Sequence, residues 1–149
     1  MGVDVVTEIL IGRPREAVAS FANDPTNAPR WYAKISSIEW ETDPPVTVGS
    51  RMAFVAHFLG RRLAYTYEVV DLVPATRLVM RTAQGPFPME TTYTFEVADP
   101  DTTLMTLRNR GEPAGFSKAV APFMSAAMRR ANTKDLKALK ALLESSAPI

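Results

Sequence analysis

The chain has 149 residues, 46% hydrophobic and 22% charged, with a formal net charge of +1. That length suits one domain, residues 1–149, with a substantial core, and the charge balance does not point to a nucleic-acid partner. Cysteine is absent and His57 is the single histidine, which excludes disulfides, thiolate chemistry and any site needing two imidazoles. No apolar run approaches the roughly 20 residues of a membrane span. Asp4 and Glu8 interrupt the N-terminal apolar residues as in a strand, not a secretion signal, so the expected address is the cytoplasm.

Val3 to Ile11 alternates as a first strand, with Val3, Val5, Thr7, Ile9 and Ile11 in one phase. Gly12-Arg13-Pro14 announces a helix whose apolar side is Ala17, Val18, Phe21 and Ala22, and Asn23-Asp24-Pro25 stops it. Thr26 to Ala33 suggests a second short helix ending in Trp31-Tyr32. Strands follow. Ile35 to Thr42 sets Ile38 and Trp40 opposite Glu39 and Glu41, and Asp43-Pro44-Pro45 with Gly49 leads into a strand over Arg51 to Leu59. Phe58-Leu59-Gly60-Arg61-Arg62-Leu63 reads as a tight hairpin with Gly60-Arg61 at its tip. That register pairs Phe58 with Leu63, Ala56 with Tyr65 and Phe54 with Tyr67, placing Phe54, Phe58, Leu63, Tyr65 and Tyr67 on one face and His57 on the other.

Further strands span Arg77 to Ala83, Met89 to Val97 and Thr103 to Gly111, with Leu78, Met80, Met89, Tyr93, Phe95, Met105 and Leu107 facing inward. Arg77, Arg81, Glu90, Glu96, Arg108 and Arg110 form an outer wall that can pair across strands, weakly stabilising and solvated. The last element is the longest, a helix from about Ser117 to Ser145. Its apolar stripe runs through Val120, Phe123, Met124, Ala127, Met128, Ala131, Leu136, Leu139, Leu142 and Leu143, with Arg130, Lys134 and Lys137 opposite. Such a helix is roughly 40 Å long and needs a broad apolar surface. Pro122 predicts a kink or a later start. The first half carries methionines between alanines, able either to fill gaps or to roof a cavity, while the second half carries leucines.

The fold class is therefore α+β: strand, two helices, six strands and a long helix, forming a curved antiparallel sheet of about seven strands that grips the C-terminal helix. The inner set is rich in aromatic and methionine side chains: Phe54, Phe58, Tyr65, Tyr67, Met80, Met89, Tyr93, Met105, Met124 and Met128. An apolar pocket with a few hydroxyls binds a small lipophilic molecule, with a fully packed core as the competing reading. Trp31, Tyr32, Phe87 and Phe116 fall near one end and either frame a mouth or seal the core. The basic set Arg129, Arg130, Lys134, Lys137 and Lys140 is a solvated face or a contact for anionic lipid, and Lys140 can pair with Glu144.

Catalytic chemistry has few candidates. His57 points outward, no serine sits in a nucleophile elbow, and no phosphate-binding glycine loop or dinucleotide fingerprint appears. No metal site and no cofactor are expected. Tyr65, Tyr67 and Tyr93 carry inward hydroxyls, and Thr91 and Asn109, neighbours across the last hairpin, can add donors and acceptors. Each is equally open to satisfaction by backbone or trapped water. No inward carboxylate or lysine is evident, which weakens a proton-transfer reading.

Phe21-Ala22-Asn23-Asp24-Pro25, Pro29-Arg30-Trp31-Tyr32, Val48-Gly49-Ser50-Arg51, Phe58-Leu59-Gly60-Arg61-Arg62 and the run from Leu136 to Glu144 carry a resemblance that spans essentially the whole chain. The sequence resembles the polyketide cyclase/dehydrase-like branch of the START and pollen-allergen-type helix-grip superfamily (SRPBCC). The resemblance implies the helix-grip fold and a hydrophobic cavity between sheet and long helix. It carries over no set of catalytic residues. The first functional expectation is binding of a small hydrophobic or aromatic, lipid- or polyketide-like ligand by a carrier, sensor or sequestering protein. The ligand-binding candidates are Trp31, Phe54, Phe58, Tyr65, Tyr67, Met80, Phe87, Met89, Tyr93, Met105, Asn109, Phe116, Met124 and Met128. The alternatives are a polyketide aromatase/cyclase or dehydratase using Tyr65, Tyr67 and Asn109, and a protein-interaction module of the chaperone-regulator type. The partner is a small hydrophobic molecule, without nucleic acid or integral membrane association, and a homodimer is compatible with the sequence.

Overall fold

The structure is a computed structural model that describes residues 3–58, 60–84, 88–111 and 121–145. Chain order is β1 (Val3–Ile11), α1 (Arg15–Ala22), a 3-10 turn (Pro25–Asn27), α2 (Ala28–Trp31), β2 (Ile35–Trp40), β3 (Arg51–Phe58), β4 (Arg61–Val73), β5 (Arg77–Gln84), β6 (Met89–Asp99), β7 (Thr102–Gly111) and α3 (Ala121–Ser145). The strands make one seven-stranded antiparallel sheet in the order β1-β7-β6-β5-β4-β3-β2. The two-residue periodicity of the sequence becomes burial directly. In β1, Val3, Val5, Thr7 and Ile11 are buried while Asp4, Val6, Glu8 and Leu10 are exposed. Bulges at Ile35/Ser37, Thr66/Tyr67, Val69/Asp71 and Val97/Asp99 bend the strands, and such bends curl a sheet around what it covers. The curled sheet holding α3 is the helix-grip architecture.

The β3–β4 hairpin has the expected faces in a different register. Phe54 opposes Tyr65, Ala56 opposes Leu63, and Phe58 opposes Arg61, so the pairing is displaced by two residues from the sequence reading. Gly60 takes a left-handed φ of 76° next to Arg61, which already belongs to β4. The tip therefore lies one residue earlier than Gly60-Arg61. Side chains alternate with a period of two, so a shift of two leaves every face intact. Phe54, Leu63 and Tyr67 are buried and His57 is exposed on the opposite face.

Two clusters hold α3. Leu136, Leu139 and Leu143 join Ile11, Val18, Trp31, Phe95, Met105 and Leu107 in the main core, and Met124 packs with Val3 and Val5 in a second, smaller one. The C-terminal end of the helix is tied to the β1–α1 turn. Arg13 donates to the Leu143 carbonyl at 2.9 Å, Gly12 N–H donates to Glu144 at 2.7 Å, and Lys140 bridges the Leu10 carbonyl and Glu144. Cationic groups at a helix C-terminus satisfy its free carbonyls and complement its dipole. Among the described residues the helix runs from Ala121, with Pro122 next, and the expected start near Ser117 lies outside them.

Phe123 departs from the expected stripe, being 74% exposed. It shares a helical column with Arg130 and Lys134, both exposed, and not with Met124. The outer wall pairs through Arg81–Glu90–Arg110, Arg108–Asp4 and Arg77–Asp71, while Glu96 stays exposed. Among the described residues no helix is long and apolar enough to cross a membrane. Urea denaturation should rank two helix variants oppositely to their hydrophobicity. Leu139→Ala should lose about 2–5 kcal/mol, and Phe123→Ser should stay within about 0.5 kcal/mol of wild type.

Candidate functional site

Between the two clusters on α3 the helix and sheet do not meet, and a cavity of about 140 Å³ remains. Its wall is built from Phe54, Tyr65, Tyr67, Met80, Met89, Tyr93 and Asn109 of the sheet, Tyr32 of the α2–β2 connection, and Met124, Met128, Asn132 and Asp135 of α3. Of the sequence candidates, Trp31 and Met105 lie off this wall. Trp31 is 2% exposed in the main core, its ring 4.0 Å from that of Tyr32, and Met105 is fully buried there. Of the two expectations for Trp31, mouth or core, the structure takes the core, because α2 turns its last residue inward. The side chain of Phe58, and Phe87 and Phe116 altogether, lie outside the described residues.

The hydroxyls sort themselves by hydrogen counting. Thr91 donates to the Asn109 side-chain oxygen at 2.7 Å. Its one proton is thereby used, so the 2.7 Å contact between Tyr67 and Thr91 has Tyr67 as the donor. The expected Thr91–Asn109 neighbours are paired directly across β6 and β7. Tyr32 and Tyr93 share a 2.7 Å hydroxyl–hydroxyl bond. Tyr65 stacks on Phe54 and meets Tyr67 edge-on, and its hydroxyl has no hydrogen-bond partner among the described residues. Burial pushes the phenols of Tyr32, Tyr65 and Tyr93 up well above the ordinary tyrosine range, and that of Tyr67 up to about 12 against the pull of Thr91. All four are neutral donors at physiological pH.

The sequence reading found no inward carboxylate, and the structure corrects it. Asp135 is 3% exposed and Asn132 5%, and both line the cavity. Asp135 accepts from the Ala33 N–H at 3.1 Å, which ties the α2–β2 connection to the middle of α3. The side-chain nitrogen of Asn132 is buried without a hydrogen-bond partner among the described residues. A signal for both was present: Met128, Asn132, Asp135 and Leu139 continue one column at four- and three-residue steps. Charged and amide side chains default to solvent, and that prior hid it.

Asp135 also marks the neck of the cavity. Together with Lys34 and Ala131 it lines an adjoining basin of about 260 Å³, whose other walls include Arg130 and Lys134. None of Lys34, Arg130 and Lys134 forms a salt bridge among the described residues. Burial pushes the Asp135 carboxyl up to about 6, against the Ala33 hydrogen bond and the nearby Lys34 and Lys134. Among the described residues no three His, Cys, Asp or Glu side chains cluster to hold a metal ion.

The Asp135 shift sets the sign of a pH effect. The folded state holds this proton more tightly than the unfolded chain does, so stability falls as pH rises from about 4 to about 6 and the loss is complete above that window. Asparagine does not titrate and keeps an oxygen for the Ala33 N–H. Thermal melts from pH 4 to pH 8 should therefore show Asp135→Asn gaining on wild type as pH rises through about 6, with the gap constant beyond it.

Residues 2–144 match the family model described as polyketide cyclase / dehydrase and lipid transport. No curated protein sequence matches the chain. Among solved structures, a Thermus thermophilus protein superposes with a TM-score of 0.82 at 20% identity, covering 97% of this chain and 99% of its own. A START superfamily protein from Mycobacterium smegmatis gives 0.83 at 16% identity, covering 97% and 99%. The Zhui aromatase/cyclase from a Streptomyces species gives 0.79 at 15% identity, covering 97% and 94%. Identities this low establish the shared fold and no more, whereas the family model spans almost the whole sequence. The helix gripped by a curled sheet, the cavity between them and that match converge: the chain belongs to the polyketide cyclase / dehydrase and lipid transport family.

Proposed function

We propose that the chain acts as one cytoplasmic domain that binds a small aromatic molecule between sheet and C-terminal helix, as a carrier, sensor or sequestering protein. The observation that carries this reading is the cavity itself, about 140 Å³ and walled by aromatic and methionine side chains. An engineered core cavity of about 150 Å³ accepts benzene, so this one has room for about one six-membered ring. Pockets for drug-sized ligands start near 300 Å³, a volume the cavity reaches only together with the adjoining basin of about 260 Å³. Family membership supports hydrophobic ligand binding or polyketide cyclase activity in general terms.

One finding favours the enzymatic reading as the second choice. Asp135 supplies the inward acid that a cyclase or dehydratase needs, with a carboxyl raised to about 6, where it can both give and take a proton near neutrality. Tyr65 has the free phenol that could donate to a carbonyl or enolate oxygen, whereas the proton of Tyr67 is committed to Thr91. Against it stands the volume of the cavity taken alone, which is small for a folded poly-β-keto chain.

Native mass spectrometry of freshly purified protein should show an adduct of single-ring mass, lost on denaturation. A clean mass without adduct, and no thermal stabilisation by any small aromatic probe, would remove the binding reading. Tyr65→Phe should leave ligand affinity within about threefold of wild type, since an apolar wall carries most of the binding. A Tyr65→Phe variant that binds normally but loses a measurable turnover would put the enzyme first.

A further inference from the structure

We propose that the ligand is a neutral single-ring hydroxyl compound, a phenol, whose hydroxyl lies between Asn132 and Asp135 at the neck of the cavity. This rests on the cavity-binding reading above and specifies its ligand. Asn132 and Asp135 are three residues apart on α3, so their side chains leave the helix about 5–6 Å from one another. A single oxygen about 2.8 Å from each can bridge that gap. The two ends differ in kind. Asn132 offers a buried donor nitrogen with no partner among the described residues. Asp135 uses one oxygen on Ala33 and retains acceptor capacity on the other. A hydroxyl donates once and accepts once, and so answers both.

Charge of both signs borders the site, so neither ion meets a purely complementary surface. An anion would touch the Asp135 carboxylate, which has no salt-bridge partner among the described residues. A cation would meet that carboxylate but lie near Lys34, Arg130 and Lys134, which line the adjoining basin. Unlike partners are rejected by such repulsion as much as the right one is selected by contact. A wholly apolar ring fills the volume but leaves the Asn132 nitrogen unpaired, and a buried unpaired donor is costly. The remaining wall, with Phe54, Tyr65, Tyr67, Met80 and Tyr93, suits the face and edge of one aromatic ring.

Calorimetric titration of the full chain at pH 7.5 with phenol, toluene, benzoate and benzylamine tests this without any variant. Phenol should bind about tenfold or more tightly than toluene, the worth of one buried hydrogen bond to a charged group, and more tightly than either ion. Asn132→Leu should narrow the phenol preference about threefold, since only the bond to Asp135 then remains, while toluene itself binds at least as well. Equal affinity for phenol and toluene in wild-type protein would overturn the phenol assignment and leave the cavity reading standing. Tighter binding of benzoate or benzylamine would overturn the neutrality argument. No heat and no thermal stabilisation with any of the four would overturn both readings together.

Discussion

Contact between α3 and the concave face of the sheet is the constraint on which the rest depends, and it is made twice with a gap between. At one end Leu136, Leu139 and Leu143 enter a core shared with Trp31, Phe95 and Leu107. At the other, Met124 packs on Val3 and Val5. A helix about 37 Å long cannot follow a bent sheet along its whole length. The bulged strands fall away from it over Ala131, Asn132 and Asp135, and the cavity occupies that separation. Packing at both ends holds the gap open, since closing it would require the helix to bend or the sheet to flatten.

The gap changes what its lining can tolerate. A buried carboxylate and a buried unpaired amide are unfavourable in a filled core, because each gives up water without a full set of replacements. Asp135 is raised toward neutral pH by that cost, and Asn132 is left with an unpaired nitrogen. By contrast the hydroxyls on the sheet are mostly satisfied. Tyr67, Thr91 and Asn109 form a relay, and Tyr32 and Tyr93 pair with one another. Among the described residues, open hydrogen-bonding capacity on the cavity wall is therefore concentrated at Tyr65, at the Asn23 side-chain oxygen and on one turn of α3.

Much of the fold was legible because it follows from two short periods. Alternation named the inner and outer faces of β1 and of the β3–β4 hairpin, and those faces survived a register displaced by two residues. The ion pairs of Arg81, Glu90 and Arg110 on the outer wall, and of Lys140 with Glu144, were likewise a matter of spacing. The site was less legible. Phe123 reads into the stripe by its hydrophobicity although its helical column is that of Arg130 and Lys134. Asn132 and Asp135 were passed over for their polarity although their column is that of Met128 and Leu139. In both cases residue type was given more weight than angular position, and in a helix beside a cavity the angle is what counts.

By itself the sequence determined the order of elements and the faces of most strands. Each of these is set by residues within a few positions of one another. Only the tertiary structure decided how far α3 stands off the sheet, and therefore which side chains border empty space. That distance comes from strand bulges and core contacts separated by a hundred residues or more along the chain, such as Arg13 with Leu143 and Ala33 with Asp135. No local pattern encodes the volume left between two surfaces that meet only in part.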